Sequence, residues 1–369
     1  MQTKGAIFWP GEQPRWSVEP IEVDEPRDGE VLIKMAAAGL CHSDYHYIAG
    51  DAFSDHPILG GHEGSGVVEQ VGKGVTGFEP GDHVITTFIP SCGHCRWCRA
   101  GHGNLCDRGA LLLEGTALDG THRVHARGQD IGPMTFLGTF APYVCAPADS
   151  LVKFGRDIPP AVGAIVGCAV PTGWGTAVNI AGVEVGDTVV VIGCGGVGMN
   201  AVQGARLAGA KHIVAVDPAD FKRTMAPKFG ATHTAASIGE ATPLVSELTR
   251  GVMAERVIVT AGVVDGKMVN PALGLVCKTG VLAIGGVSRM DQVAADFSLM
   301  MFVMMEKQIR GGLYGGCQPA NAIPLLLDLY RKGDLLLDEL VTRTYTLDQI
   351  NEGYADMAAG RNIRGVITF

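Results

Sequence analysis

Basic residues are in the minority. Lysine and arginine number 29 against 38 aspartates and glutamates, for a formal net charge of −9. The chain therefore lacks the basic face that general nucleic-acid binding demands. No apolar leader opens it: "MQTKGAIFWPGEQPRW" contains nothing like the core of a signal peptide. A clean membrane-spanning run is missing too. The longest uncharged stretch, residues 158–183, is interrupted by five glycines and three prolines, and it reads as buried loops and short helices. Glycine is abundant, at 52 of 369 residues, but follows no G-X-Y period. That excludes a collagen-like fibre and leaves tight turns and close backbone approaches as its uses. No low-complexity segment and no repeat longer than a βα alternation is found. What remains is an acidic globular chain, 47% apolar and long enough for two domains. A cytoplasmic, reducing location is expected, with no nucleic-acid partner and no membrane.

Ten cysteines are present, and four of them crowd into "SCGHCRWCRAGHGNLC", Ser91 to Cys106. In a reducing compartment such a cluster points to a metal before disulfides. Cys92, Cys95 and Cys98 follow at two-residue intervals and Cys106 comes eight positions later. Four thiolates at about 2.3 Å make a closed tetrahedral zinc site. Gly93, Gly101 and Gly103 supply turns, and Arg96 and Arg99 can offset the thiolate charge. With every position filled by protein, this zinc is expected to be structural.

Three other stretches each carry one candidate ligand: Cys41 in "GLCHSDYHYIAG", His62 in "LGGHEGSGVVEQVG" and Cys168 in "IVGCAVPTGWG". Two cysteines and one histidine would leave a fourth tetrahedral position for water or substrate, the pattern of catalytic zinc. Spacing cannot pair residues this far apart. A lone buried cysteine is ordinarily a small hydrophobe, and a lone histidine a hydrogen-bonded core residue.

From Gly186 the pattern changes. "DTVVVIGCGGVGMNAVQGARLAGAKHIVAVD" reads strand, glycine turn, helix, strand, acid. Val189–Ile192 is a β-branched run suited to a buried parallel strand. Gly193, Gly195 and Gly198 make G-x-G-x-x-G, and Asp217 stands 24 residues after Gly193. That context is required of a dinucleotide fingerprint. Gly193 makes the turn, Gly195 admits the pyrophosphate, Gly198 lets helix pack on strand, and the helix N-terminus favours the phosphate. Gly196 and Val197 complete the loop. Asp217 can accept from both ribose hydroxyls and would repel a 2′-phosphate, so NAD is expected over NADP. Further strands are expected at Ile213–Val216, Arg256–Thr260 and Val281–Ile284, which makes a doubly wound parallel sheet. "NAIPLLLDLYRKG" reads as a helix, the ending "GVITF" as a strand, and "SLMMFVMMEKQIRG" as a packed helix.

The element "GHEGSGVVEQVG", the four-cysteine lobe that follows it, "AAAGLCHSD" and the ending "GRNIRGVITF" together resemble the zinc-containing medium-chain alcohol dehydrogenases. The resemblance covers essentially the whole chain. Its features "KFGATH" and "IPSCGHC" are most similar to the actinobacterial NDMA-dependent, nicotinoprotein-type members, which hold NAD(H) tightly and reoxidise it in place. The resemblance implies an α/β fold in which a Rossmann domain, residues 170–312, is inserted into a β-rich GroES-like catalytic domain, residues 1–169 and 313–369, with a zinc lobe at about 90–108. It implies that Cys41, His62 and Cys168 bind a catalytic zinc, with Glu63 and Asp44 behind them. Ser43 would hydrogen-bond the substrate oxygen and His46 would pass the proton to solvent. Thr172 would meet the nicotinamide amide, Lys222 the adenosine ribose and Arg364 the pyrophosphate. Phe88 and Leu111 would line the substrate channel. The implied partners are an alcohol or aldehyde, a dedicated redox acceptor and further copies of the chain, as a dimer or tetramer. Two other functions remain open. One is thiol-dependent formaldehyde dehydrogenation, which needs a cation where Ala110 aligns and Arg108 lies close. The other is a catalytically silent NAD-binding protein.

Overall fold

The structure, a computed structural model, describes residues 1–369. The chain divides into two compact units, one of Met1–Cys168, Gln318–Asp328 and Leu337–Phe369, the other of Ala169–Cys317 and Leu329–Leu336. The second crossing falls at Cys317, five residues beyond the 312 read from the sequence. The cause is local. Leu313–Gly316 turns through three consecutive left-handed residues, Tyr314, Gly315 and Gly316. A Cβ on Gly315 would strike the Thr172 carbonyl at 2.7 Å, so this turn packs on the helix Ala169–Gly175 within the second unit.

The first unit holds a small closed barrel and a seven-stranded sheet. In the barrel, Gln2–Phe8 pairs with Ser17–Val23 and with Ile58–Leu59, and Ile7, Ile21, Val23, Leu59 and Ile131 fill the inside. The sheet is organised on one long strand, Glu30–Leu40. Gly64–Val71, Tyr143–Pro147 and Arg364–Thr368 all pair with it antiparallel. The register sets Ala38 opposite Gly64 and Leu40 opposite Gly365. Residues that follow Leu40, precede Gly64 or begin the last strand are therefore brought to one end of the sheet. The helix Pro160–Val166 is tied to the same place, because the Ser65 hydroxyl donates to the Pro160 carbonyl at 2.7 Å.

The second unit is a six-stranded, wholly parallel sheet. Its order runs His233–Ala235, His212–Val216, Thr188–Ile192, Ala254–Val259, Val276–Ile284, Gln308–Gly311. Counted along the chain from Thr188–Ile192 this is 3-2-1-4-5-6, the order of a doubly wound dinucleotide fold. All five residues of "TVVVI" are buried, as expected of a strand covered on both faces. The expected helix "NAIPLLLDLYRKG" is present as Pro319–Arg331, and the final strand as Arg364–Thr368. The methionine-rich segment differs from expectation. Leu299–Met304 is helical but has no buried residue, and "QIRG" is the edge strand. With six residues the helix is too short to bury a full face: Phe302 packs against the core and Phe297, while Leu299, Met300, Met301, Val303 and Met304 are exposed.

No single helix is long and apolar enough to cross a membrane. Residues 158–183 fold as short, mostly buried helices.

Candidate active site

The long strand delivers Cys41 directly after Leu40, where it also precedes the helix His42–Ala49. His62 and Glu63 lie immediately before Gly64, and Cys168 follows the helix Pro160–Val166. The end of the sheet thus gathers side chains from positions 41 to 168. The ligand atoms of Cys41, His62, Glu63 and Cys168 all lie within 4.8 Å of one another, and all four residues are buried. His62 donates from Nδ1 to Asp44 Oδ1 at 3.2 Å, and the same oxygen accepts the Gly61 N–H at 3.0 Å. With its proton held on Nδ1, His62 presents the lone pair of Nε2 to the cluster. That Nε2 is buried and has no hydrogen-bond partner, as a metal-binding nitrogen would be.

Charge is strongly coupled here. A hydrogen bond from Cys168 holds the Cys41 thiol well below its usual range, and the same contact raises Cys168. Burial pushes the Glu63 carboxyl up to about 8, with the Arg364 guanidinium pulling the other way. Arg364 is itself buried and is bonded to Glu63 Oε2. This pair passes directly over Gly39, where any Cβ would collide with the Glu63 carboxylate. Behind them Trp16, Tyr45, Phe140 and Tyr354 pack ring against ring. Two soft thiols and an imidazole, backed by carboxylates, form a donor set suited to zinc.

Ser43 Oγ lies 3.7 Å from Cys41 Sγ. His46 is on the same face of the helix, three residues on, and is buried with Nδ1 3.3 Å from Asp51 Oδ2. Phe88 stands edge-on to His62, with ring centroids 5.7 Å apart. Leu111 is on the surface, 41% exposed. Arg108 is bonded to Asp149.

Cys92, Cys95, Cys98 and Cys106 make the second donor group, with all four sulfurs within 4.8 Å of one another. All ten cysteines of the chain are free thiols. Backbone N–H groups point at these sulfurs: Cys95 N donates to Cys92 Sγ at 3.4 Å and Cys98 N to Cys95 Sγ at 3.4 Å. Gly93 and Gly101 are left-handed, as the turns require. Arg96 lies over the Trp97 ring, 4.6 Å from its centroid. Donation by the backbone N–H groups of Cys98 and Asp107 brings the Cys95 thiol down to about 6, while burial pushes Cys98 up to about 12.

In the second unit the glycine loop has the geometry of a phosphate cradle. Gly193 has φ +93°, and a Cβ there would lie 2.6 Å from the Ala261 nitrogen. A Cβ on Gly198 would collide with the Gly193 carbonyl, whereas Gly195 has nothing within 4 Å of that position. The side open at Gly195 is the one an incoming pyrophosphate would need. Helix Gly196–Leu207 starts there, including Val197. Asp217 is buried at the end of the neighbouring strand and accepts from Cys194 N at 2.8 Å and Ala219 N at 2.9 Å. Lys222 Nζ stands 3.9 Å from Asp217 Oδ2. The Thr172 hydroxyl is buried without a partner.

The structure thus places Cys41, Ser43, Asp44, His46, His62, Glu63, Phe88, Cys168 and Arg364 in the first unit, and Thr172, the glycine loop, Asp217 and Lys222 in the second. Sequence reasoning missed the Glu63–Arg364 pair, which joins residues 301 positions apart and has no local signal. It also missed Asp51. A carboxylate directly after a helix-ending glycine, five residues beyond a histidine, is a signal that was available.

Comparison with known proteins agrees with this geometry. Residues 27–159 match the Alcohol dehydrogenase GroES-like domain and residues 196–332 the Zinc-binding dehydrogenase family. The chain is 48% identical to alcohol dehydrogenase B of Mycobacterium tuberculosis, covering 100% of this chain and 99% of that one. It is 47% identical to the NDMA-dependent alcohol dehydrogenase of Amycolatopsis methanolica, with 100% and 99% covered. Among solved structures it is similar to the benzyl alcohol dehydrogenase of Acinetobacter calcoaceticus, with a TM-score of 0.91, 26% identity and 100% and 99% covered.

Proposed function

The chain belongs to the zinc-binding alcohol dehydrogenases, oxidoreductases that act on alcohols, and from that premise we propose that it is an NAD-dependent enzyme with two zinc ions per chain. Cys41, His62 and Cys168 would hold the catalytic ion, and Cys92, Cys95, Cys98 and Cys106 the structural one. The carrying observation is the buried convergence of two thiols and an unpartnered His62 Nε2. When bound, zinc supplies Lewis-acid stabilisation to an alcohol oxygen and the nicotinamide supplies the hydride acceptor.

The chain's own residues do the rest. Asp44 keeps His62 in the tautomer whose Nε2 is free. Ser43 would accept the alcohol proton and His46 would carry it to solvent. Gly193, Gly195, Gly196, Val197 and Gly198 would cradle the pyrophosphate, Asp217 and Lys222 would take the ribose, and Thr172 would offer its free hydroxyl to the nicotinamide amide. Arg364 would serve a pyrophosphate only by sharing its charge with Glu63. Phe88, beside His62, would line the substrate site, and Leu111 would stand at its outer end.

The likeness to the NDMA-dependent relative supports a permanently held NAD(H), reoxidised in place by a separate acceptor. The benzyl alcohol dehydrogenase neighbour supports a primary aromatic alcohol as substrate. The thiol-adduct alternative is disfavoured because the Arg108 charge is already taken up by Asp149. Self-association is supported by the exposed Val287, Met290, Leu299, Met300, Val303 and Met304, close in sequence to the edge strand Gln308–Gly311. Exposed apolar side chains next in sequence to an edge strand favour a second copy of the chain. Ten unpaired thiols are in keeping with a cytoplasmic setting.

The test is turnover of benzyl alcohol by the protein as isolated. Reduction of a nitroso dye without added cofactor is expected, with dinucleotide released on denaturation. Dinucleotide-free protein that turns over fully on added NAD would overturn the retained cofactor. No alcohol oxidation under either condition would overturn the reading of the site.

A further inference from the structure

One buried contact in the first unit is not used by the metal ligands, the glycine loop or the ion pairs described above. His46 and Asp51 have side chains only 6% and 12% exposed, and Nδ1 of the imidazole lies 3.3 Å from Asp51 Oδ2. The backbone fixes this arrangement. Gly50, at φ +78°, ends the helix and donates to the His46 carbonyl. Asp51 N and Ala52 N donate to that same carbonyl at 2.9 and 3.1 Å. The carboxylate is therefore returned onto the imidazole of the residue whose carbonyl anchors its loop. His42 is also a titratable neighbour, its ring 5.2 Å from that of His46 and nearly perpendicular to it.

A carboxylate that accepts from Nδ1 selects one neutral tautomer, with the proton on Nδ1 and the lone pair on Nε2. A base aimed by a third group is the arrangement that proton-transfer sites use. The same contact is made at another buried histidine, where Asp44 holds His62 Nδ1 at 3.2 Å. There it frees Nε2 for a metal, and at His46 it frees Nε2 for a proton. We infer that Asp51 is a positioning residue of the proton path, holding His46 as the Nδ1–H tautomer so that Nε2 accepts the proton released by alcohol oxidation. The inference rests on the reading of His46 given above. When bound, an oxidised nicotinamide would take the carbinol hydrogen as hydride, two electrons and a proton, which leaves the O–H proton for the chain's own residues to move. The O–H proton would pass by way of Ser43 to His46 Nε2 and then to solvent, with Asp51 only holding the ring in place.

The experiment uses the holoenzyme with benzyl alcohol and a nitroso dye. Asp51→Asn is expected to lower kcat about tenfold, with KM for the alcohol within about twofold. Added imidazole should restore much of the loss, and Asp51→Glu should keep most of the activity. A purely structural role would not give rescue by a soluble base. Nitrogen-15 spectra of histidine-labelled wild-type protein, with His46 assigned from His46→Gln, are expected to show a protonated Nδ1. A protonated Nε2 overturns the inference whatever the variants do. So does an undiminished kcat in Asp51→Asn, or a loss that base does not restore. If His46→Gln turns over normally, the failure lies in the reading of His46 as proton carrier, which the spectra separate from the placement of its proton by Asp51.

Discussion

Cys92, Cys95, Cys98 and Cys106 come from fifteen consecutive residues, whereas Cys41, His62 and Cys168 span more than a hundred. The first group is stitched together by its own backbone, with N–H groups of the lobe donating to its sulfurs, and Cys92 and Cys95 are only half-buried. The second group exists because of the register of one long strand. It is fully buried and is backed by Asp44, Glu63 and Arg364. A local cluster of four thiols would satisfy a metal completely and so could only hold structure. A cluster assembled at the end of a sheet brings two thiols and an imidazole, and the one carboxylate grouped with them, Glu63, is tied to Arg364, so a fourth position would be left for chemistry.

The contrast is sharpest in the response to losing one ligand. Cys168→Ser is expected to lower alcohol turnover about a thousandfold, several kcal/mol of lost transition-state stabilisation. Its thermal midpoint should move by no more than about 3 °C, since the surrounding sheet does not depend on the ion. NAD binding should be nearly unchanged. Steady-state kinetics, calorimetry and fluorescence titration of the dinucleotide check the three parts. Near-normal turnover in zinc-free protein would break the comparison.

Cys98→Ser should do the reverse. Structural zinc contributes directly to folding, so the thermal midpoint is expected to fall by about 5–10 °C. Limited proteolysis should then cut within residues 90–108. Turnover per folded molecule should fall less than about tenfold.

The smallest effect is on thiol reactivity. After gentle chelation at pH 7, Cys95 is expected to be alkylated first. Its thiol sits at about 6, so it is mostly thiolate at that pH, and the rate should drop as the pH falls through 6 and the sulfur is protonated. Cys145, Cys194 and Cys317, pushed up to about 12 by burial, should stay unmodified. Peptide mass spectrometry reads this directly.

How much of this was legible in the sequence follows from the same contrast. The four-cysteine lobe was readable from spacing alone, and the nucleotide loop from glycines placed between a β-branched run and an acid. Both are local patterns whose physics acts within a few residues. The buried trio was not readable that way, since Cys41 and His62 meet only because Ala38 faces Gly64. Resemblance supplied that grouping and geometry supplied its reason. The Glu63–Arg364 pair depends on Glu30–Leu40 pairing with both Gly64–Val71 and Arg364–Thr368, which no periodicity announces. Leu299–Met304 is the expected helix but packs only through Phe302, because apolar content says how much surface should be covered and not whether this chain covers it.

The most direct test is native mass spectrometry of the holoprotein during stepwise chelation, with turnover measured on the same samples. Two zinc ions per chain are expected, and turnover should vanish with loss of one ion while the chain stays folded and the Cys92–Cys106 lobe stays protected from proteolysis. Full activity in chains that have lost the ion at Cys41, His62 and Cys168 would contradict the account.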